Sequence, residues 1–429
     1  MNHPHHSFLQ KHLNRFNGLL NILEQKFRLM TFVHTLLPSF AALGLQFVTF
    51  IVTARALGVE QFGIYTGILA IAAIGAEIVG LGGADILVRA VARDKTKFRA
   101  YYGNMLIYLL WTMPFVGAVA LYFAIGLMHI HLSVMVAGIA ILMEMFIARV
   151  SASLELVMVA HGHTVKAGYI RMLTVVVRLF TVLVFSMVYA EHALNDWVAL
   201  VSIQSFALSF CYVLTGAKLY GKPIWKMIKN EAGDGLAFCV NQTARSAQTN
   251  LDRVILARFA DDVVLGVYGA ATRILQLGLF PIQVATRIIY PKFFVHGEKG
   301  ITHSHQFALK VAPMLALVGV FSGVCVSSAA FFAPVVLGKD YAGITHVALW
   351  LSLAMPFIAL QYPAADALTG AGKQWLRARI YGVIAVSFAF LLLIGARFGG
   401  VDGLIVAFVG GHLVFAVVLW ASVIMVLDK

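Results

Sequence analysis

From residue 31 to residue 427 the chain alternates long apolar runs with short polar breaks, a pattern that predicts helices throughout. Twelve runs stand out: 31–55, 60–88, 100–127, 132–158, 168–190, 195–217, 236–258, 263–289, 308–333, 342–368, 378–396 and 401–427. Each is long enough to cross a hydrocarbon core of about 30 Å. The expected fold is therefore an all-α membrane protein of twelve transmembrane helices. Ahead of them, residues 1–30 bring Phe8, Leu9, Leu13, Phe16, Leu20, Leu23 and Phe27 round at helical spacing among polar neighbours. That predicts an amphipathic helix lying on the cytoplasmic interface. It lacks the apolar core and small-residue cleavage site of a signal peptide.

The run at 236–258 departs from the others. Asn241, Arg245, Gln248 and Asp252 follow one another at spacings of 4, 3 and 4, which puts all four on one narrow helical stripe. A helix in lipid cannot turn such a stripe outward, because charge at bilayer depth must face a protein interior or a watery cavity. Two further runs carry similar stripes: Arg171, Thr174, Arg178 and Thr181 in the fifth, and Arg273, Gln276, Gln283 and Arg287 in the eighth. The sequence also repeats itself. Arg55, Gly63 and Tyr65 reappear as Arg258, Gly266 and Tyr268, an offset of 203 residues, and Arg89 after the second run answers Lys292 after the eighth. Two six-span halves with the same topology follow, which we bound at 31–220 and 221–429. Parallel halves of this kind usually hold their cargo between them.

Composition agrees with membrane embedding. The chain is 61% hydrophobic and 12% charged, whereas soluble domains carry about 25% charged residues. Its net charge of +13 does not point to nucleic acid, because the basic residues fall in short blocks between apolar runs. Of 32 lysines and arginines, 22 lie on one side of the predicted membrane and four on the other, which places both termini in the cytoplasm. Six remain, all arginines within spans: Arg149, Arg178, Arg245, Arg253, Arg273 and Arg287. The three cysteines stand singly, and there is no P-loop, paired CxxC or HExxH.

The segments TARALGVEQFGIYTGILAI, followed by GGADILVRAVAR, and NLDRVILARFADDVVLGVYGAATRI resemble the polysaccharide transporter family, the Wzx-type flippases, which belongs with MATE multidrug exporters and lipid II flippases in one superfamily. The resemblance implies a MATE-like pair of pseudo-symmetric lobes in a bacterial inner membrane. It also implies an undecaprenyl-diphosphate-linked oligosaccharide as cargo, no catalysis, and polysaccharide polymerase and chain-length proteins as candidate partners.

Against that background the residues divide into two groups. Arg149, Arg178, Asn241, Arg245, Gln248, Arg273, Gln276 and Arg287 are candidates for binding the head group, since guanidinium makes forked bonds to phosphate and stays protonated whatever surrounds it. Asp252, Asp366 and Glu144 are candidates for coupling transport to H⁺ or Na⁺, as carboxylates within spans. No cofactor is expected. The plainer reading is structural: Glu77, Glu144, Glu155, Asp252 and Asp366 suffice to neutralise five arginines across helices. Arg55, Glu60 and Tyr65, with Arg258, Asp262 and Tyr268, are expected at the outer turns, as anchors. Two other functions stay open on the sequence, an ion-coupled multidrug exporter of the same fold and a membrane-embedded polysaccharide polymerase or glycosyltransferase.

Overall fold

The computed structural model describes residues 5–128, 132–189 and 193–427, with side chains from residue 41 onward except those of Leu127 and Lys229. Among these there is no strand. The helices are α1 (His5–Ile78), α2 (Gly83–Arg93), α3 (Phe98–Tyr122), α4 (Val134–Ala160), α5 (Thr164–Val188) and α6 (Leu194–Tyr220), then α7 (Ala232–Phe259), α8 (Asp262–Gly297), α9 (Ile301–Leu337), α10 (Ile344–Ser352), α11 (Ala354–Gly370) and α12 (Gln374–Leu427). Nine of the described helical segments are long and apolar enough to cross a membrane. α7 is not one of them, because its polar stripe interrupts the apolar run. The amphipathic face expected of residues 1–30 falls on side chains outside the described residues.

Glycine sets the breaks that fold long helices back on themselves. α1 turns at Gly58 (φ 71°) and α12 at Gly400 (φ 56°), conformations that an L side chain rarely adopts. A third break separates α1 from α2, where Gly80, Leu81 and Gly82 all have positive φ. The backbone N–H of Gly80, left over by that break, donates to Thr112 Oγ1 at 2.8 Å. Irregular backbone inside a membrane protein survives only when a neighbour satisfies it in this way. In the second half the helix is interrupted at Leu353, three residues ahead of Pro356, which has no N–H to donate to the Ser352 carbonyl.

The first and second halves each pack internally and then meet along one seam. One apolar cluster, around Leu87, Phe98 and Met105, lies wholly within the first half. Another, around Phe293, Leu368 and Leu419, lies wholly within the second, and a third runs through both. Along the seam the part of α1 after Gly58 runs antiparallel to α7: Ser246 Oγ donates to the Ala73 carbonyl at 3.0 Å, and a Cβ on Gly235 would lie 2.6 Å from the Leu81 carbonyl oxygen. Charge fastens the α2 end. Arg89 donates to Asp234 Oδ2 at 2.7 Å and Glu231 Oε2 at 2.9 Å, and the Tyr101 hydroxyl donates to the other Glu231 oxygen.

The opposite end of the seam is closed by glycine. A Cβ on Gly63 would lie 1.9 Å from the Asp262 carbonyl oxygen, and one on Gly266 would lie 2.0 Å from that of Val59. The two contacts are related by the same offset of 203 residues that relates the sequence repeats. Between them, Gly269 packs on Thr66, its own counterpart in the repeat. Only residues without side chains let two backbones approach this closely.

Candidate functional site

Beneath the glycine contact lies a cavity of about 280 Å³. Its walls come from α1 on both sides of Gly58, from α4, α5 and α6, and from α8 of the second half. Gln46, Thr49, Thr53 and Gln276 supply neutral polar groups, and Phe47, Phe50, Phe62 and Trp197 supply aromatic surface. The charged members are Glu144, Arg178 and Arg273. Helical spacing explains the placement, since Arg178 belongs to the inward stripe of α5, and Arg273 and Gln276 to that of α8.

Arg178 and Arg273 approach the cavity from different halves and differ in their partners. Arg178 Nη1 donates to Glu144 Oε1 at 2.8 Å and to the Tyr65 hydroxyl at 3.2 Å, while that hydroxyl is 3.3 Å from the same carboxylate oxygen. Tyr65 is held edge-on against Trp197, ring centres 5.8 Å apart. Arg273 reaches only the amide oxygen of Gln276, at 3.5 Å, and forms no ion pair among the described residues. The cavity therefore carries one arginine paired with a carboxylate and one that forms no ion pair among the described residues.

Each of the five carboxylates expected as counter-ions lies beside an arginine, but of the six arginines within spans only Arg149, Arg178 and Arg253 are so partnered, since Glu155 and Asp366 take Arg171 and Arg377. Glu77 accepts from Arg149 at 2.9 Å, Glu144 pairs with Arg178, Glu155 with Arg171 at 2.6 Å, and Asp366 with Arg377 at 3.3 Å. Asp252 is 3.8 Å from Arg253 Nε on the same helix. Arg149 is fixed by two acids, since Asp85 also accepts from it at 3.4 Å, and only 7% of it is exposed. Arg245, Arg273 and Arg287 form no ion pair among the described residues.

The remaining candidates fall elsewhere. Asn241, Arg245, Gln248 and Arg287 do not line the cavity. Arg245 and Arg287 are exposed, and Arg245 lies within electrostatic reach of Tyr362 and Tyr381 on α11 and α12. Asp366 is buried on α11, and Arg377, which pairs with it, also donates to Thr369 Oγ1 at 2.6 Å. Asp252 is buried with 2% exposure; its Oδ2 accepts the Tyr268 hydroxyl at 2.9 Å, while its Oδ1 has no hydrogen-bond partner.

Two residues depart from the sequence expectation. Tyr65 and Tyr268, expected as anchors at the outer turns, are both buried, and each aims its hydroxyl at a carboxylate next to an arginine. The available signal was their common position, two residues beyond the glycine of each repeat, which puts them one helical step inside the seam. Gln46, Thr49 and Thr53 carried no such signal, because isolated polar residues in an apolar run look like ordinary packing residues.

The chain shares the fold of solved transporters of the MATE/MOP type. The chain superposes on the inward-facing conformation of a multidrug resistance MATE family transporter with a TM-score of 0.71 at 14% identity, over 90% of this chain and 94% of that one. The MATE transporter VcmN of Vibrio cholerae gives 0.60 at 16% identity, over 92% of this chain and 95% of that one. A MOP superfamily transporter from Pyrococcus furiosus, for which reverse polarity of the binding pocket suggests a different function, gives 0.62 at 13% identity over 92% and 95%. Identities this low establish shared fold alone. Comparison with curated proteins finds no match. The family follows from the sequence itself: the polysaccharide biosynthesis protein model matches residues 31–295, more than half of the chain, and the protein belongs to that family.

Proposed function

We propose that the protein is a flippase that carries oligosaccharide repeat units linked to undecaprenyl diphosphate across the bacterial inner membrane, for assembly of O-antigen, capsule or exopolysaccharide. The observation that carries this reading is the pair Arg178 and Arg273, which face one cavity from the two halves of the chain, with Arg273 lacking a carboxylate. A diphosphate matches that arrangement, and the aromatic wall suits the apolar faces of sugar rings. A cationic drug does not, because the one carboxylate in the cavity is already paired. The lipid tail would stay in the bilayer while the head, too costly to desolvate in hydrocarbon, passes between the halves.

The topology that goes with this reading has twelve passes and both termini in the cytoplasm. The breaks at Gly58 and Gly400 support it, since counting α7, taking α10 and α11 as one pass and dividing α1 and α12 at their glycines gives helices of spanning length. Residues 31–220 and 221–429 would then form the two lobes, opening alternately to each side. Arg245, Asn241, Gln248 and Arg287 would meet cargo outside the cavity described above, and Arg149 would serve its lobe as a buried counter-ion. Deleting the protein should cause a lipid-linked glycan to accumulate, detectable by mass spectrometry of extracted lipids. An unchanged lipid profile together with normal surface polysaccharide would refute the assignment.

Coupling to H⁺ or Na⁺ fits Asp252 best. Its Oδ1 is buried without a hydrogen bond, so a proton or cation there would complete a carboxylate that the protein leaves half satisfied. Glu144 and Asp366 accept hydrogen bonds from arginine, whereas Arg253 comes no nearer than 3.8 Å to Asp252, so they are weaker candidates. Asp252→Asn should leave the protein inserted but remove the response of transport to imposed pH or Na⁺ gradients; transport that still tracks the gradient would exclude Asp252.

A further inference from the structure

The connector between the halves, residues 221–228, has no helix of its own, yet it is tied down. Ile224 N–H donates to the Arg99 carbonyl at 2.8 Å, Arg99 Nε donates to the Lys222 carbonyl at 3.2 Å, and Ile228 N–H donates to Asn104 Oδ1 at 2.7 Å. Gly103 makes room for it: a Cβ there would lie 1.9 Å from the Ile224 carbonyl oxygen. These contacts fix its depth. Asn104 is six residues beyond the first residue of α3, about 9 Å along the helix axis, and α3 belongs to one of the segments apolar enough to span a membrane.

A strap anchored at that depth would be expected to bury its apolar side chains, but these point away from the protein. Ile224 is 45% exposed, Trp225 63% and Met227 40%, and exposed Lys222 and Lys226 alternate with them. Tryptophan and long aliphatic side chains beside lysine are the composition of a surface that sits among lipid head groups, with rings at the interface and ammonium groups on phosphate.

We propose that the connector is a binding site for the head groups of anionic phospholipids, with Lys222 and Lys226 engaging phosphate and Trp225 inserted at the head-group boundary. The site is separate from the central cavity and does not depend on what the cavity carries. Its consequence is that lipid charge acts on the one covalent link between the halves.

The test uses the full-length protein in nanodiscs of phosphatidylglycerol or phosphatidylcholine, brominated on the acyl chains near the head group. The Trp225 signal is isolated by subtracting the spectrum of Trp225→Phe. Stronger quenching in phosphatidylglycerol is expected, with the preference reduced about fivefold per lysine in Lys222→Gln and Lys226→Gln. Absence of quenching in either lipid, which would place the strap against water or a protein partner, overturns the proposal. So does equal quenching in both that the lysine variants leave unchanged. Should Trp225→Phe fail to fold, native mass spectrometry of co-purified phosphatidylglycerol in the lysine variants reads the same preference, and retention equal to wild type overturns it.

Discussion

Replacing Arg273 with alanine is expected to abolish export of the glycan while the protein remains in the membrane at its normal level. The first half of that expectation rests on the head group: hydrogen bonds to charged partners are worth about 1.5–3 kcal/mol each, so loss of a forked contact to phosphate should cut transport about a hundredfold or more. The second half rests on what the substitution leaves behind. Arg273 forms no ion pair among the described residues, so its removal strands no carboxylate. Arg149 supplies the contrast. Its removal would leave Glu77 and Asp85, which are 30% and 20% exposed, without their shared counter-ion, a loss below the roughly 3–5 kcal/mol of a fully buried pair, and the amount of folded protein should fall. Surface polysaccharide measured against membrane-fraction immunoblots separates the two effects. Normal export by Arg273→Ala would remove the cavity from the cargo path.

Gly63→Val should hold the seam open. Its first side-chain carbon would overlap the Asp262 carbonyl oxygen, which belongs to backbone and cannot swing aside. Overpacking of this sort costs about 1–3 kcal/mol, and an energy of that size shifts a two-state equilibrium by about 5- to 150-fold. Gly266→Val should act in the same way, since it meets the Val59 carbonyl. The readout is a cysteine at Gln276, at the cavity wall, in a protein whose Cys211, Cys239 and Cys325 have been replaced. A membrane-impermeant maleimide added outside should label it slowly in the parent and quickly in the glycine variants. Equal labelling would show that this contact does not gate the cavity.

Much of the arrangement was legible in the sequence because a helix has a fixed period. Once α5 and α8 are helical, Arg178, Arg273 and Gln276 must share the faces on which they are found, and lipid rules out the outward choice. The same reasoning marks Asn241, Arg245 and Gln248 as one stripe, yet these stay outside the cavity. Periodicity fixes a face but not the neighbour that the face meets: on α7 a different face, that of Ser246, meets the second part of α1, while Asn241 and Arg245 stay exposed. Counter-ion choice was illegible for the same reason. Glu77 and Asp85 converge on Arg149 from two helices separated by the break at Gly80–Gly82, a geometry that no spacing along the chain encodes. Glycines in an apolar run ordinarily permit close helix contact. They do so at Gly82, which faces the Gly235 carbonyl, but with Leu81 they also interrupt the helix.

Because Gly63 rests on Asp262 and Gly266 on Val59, each half presents to the other the very surface that it receives. That is the geometry of an isologous dimer fused into one polypeptide, with Thr66 and Gly269 at the pseudo-dyad. Thr66 now stands where its counterpart is glycine, so strict identity has already been lost at the axis itself. A change on one face must be answered on the other half, which ties the evolution of two stretches of sequence 203 residues apart.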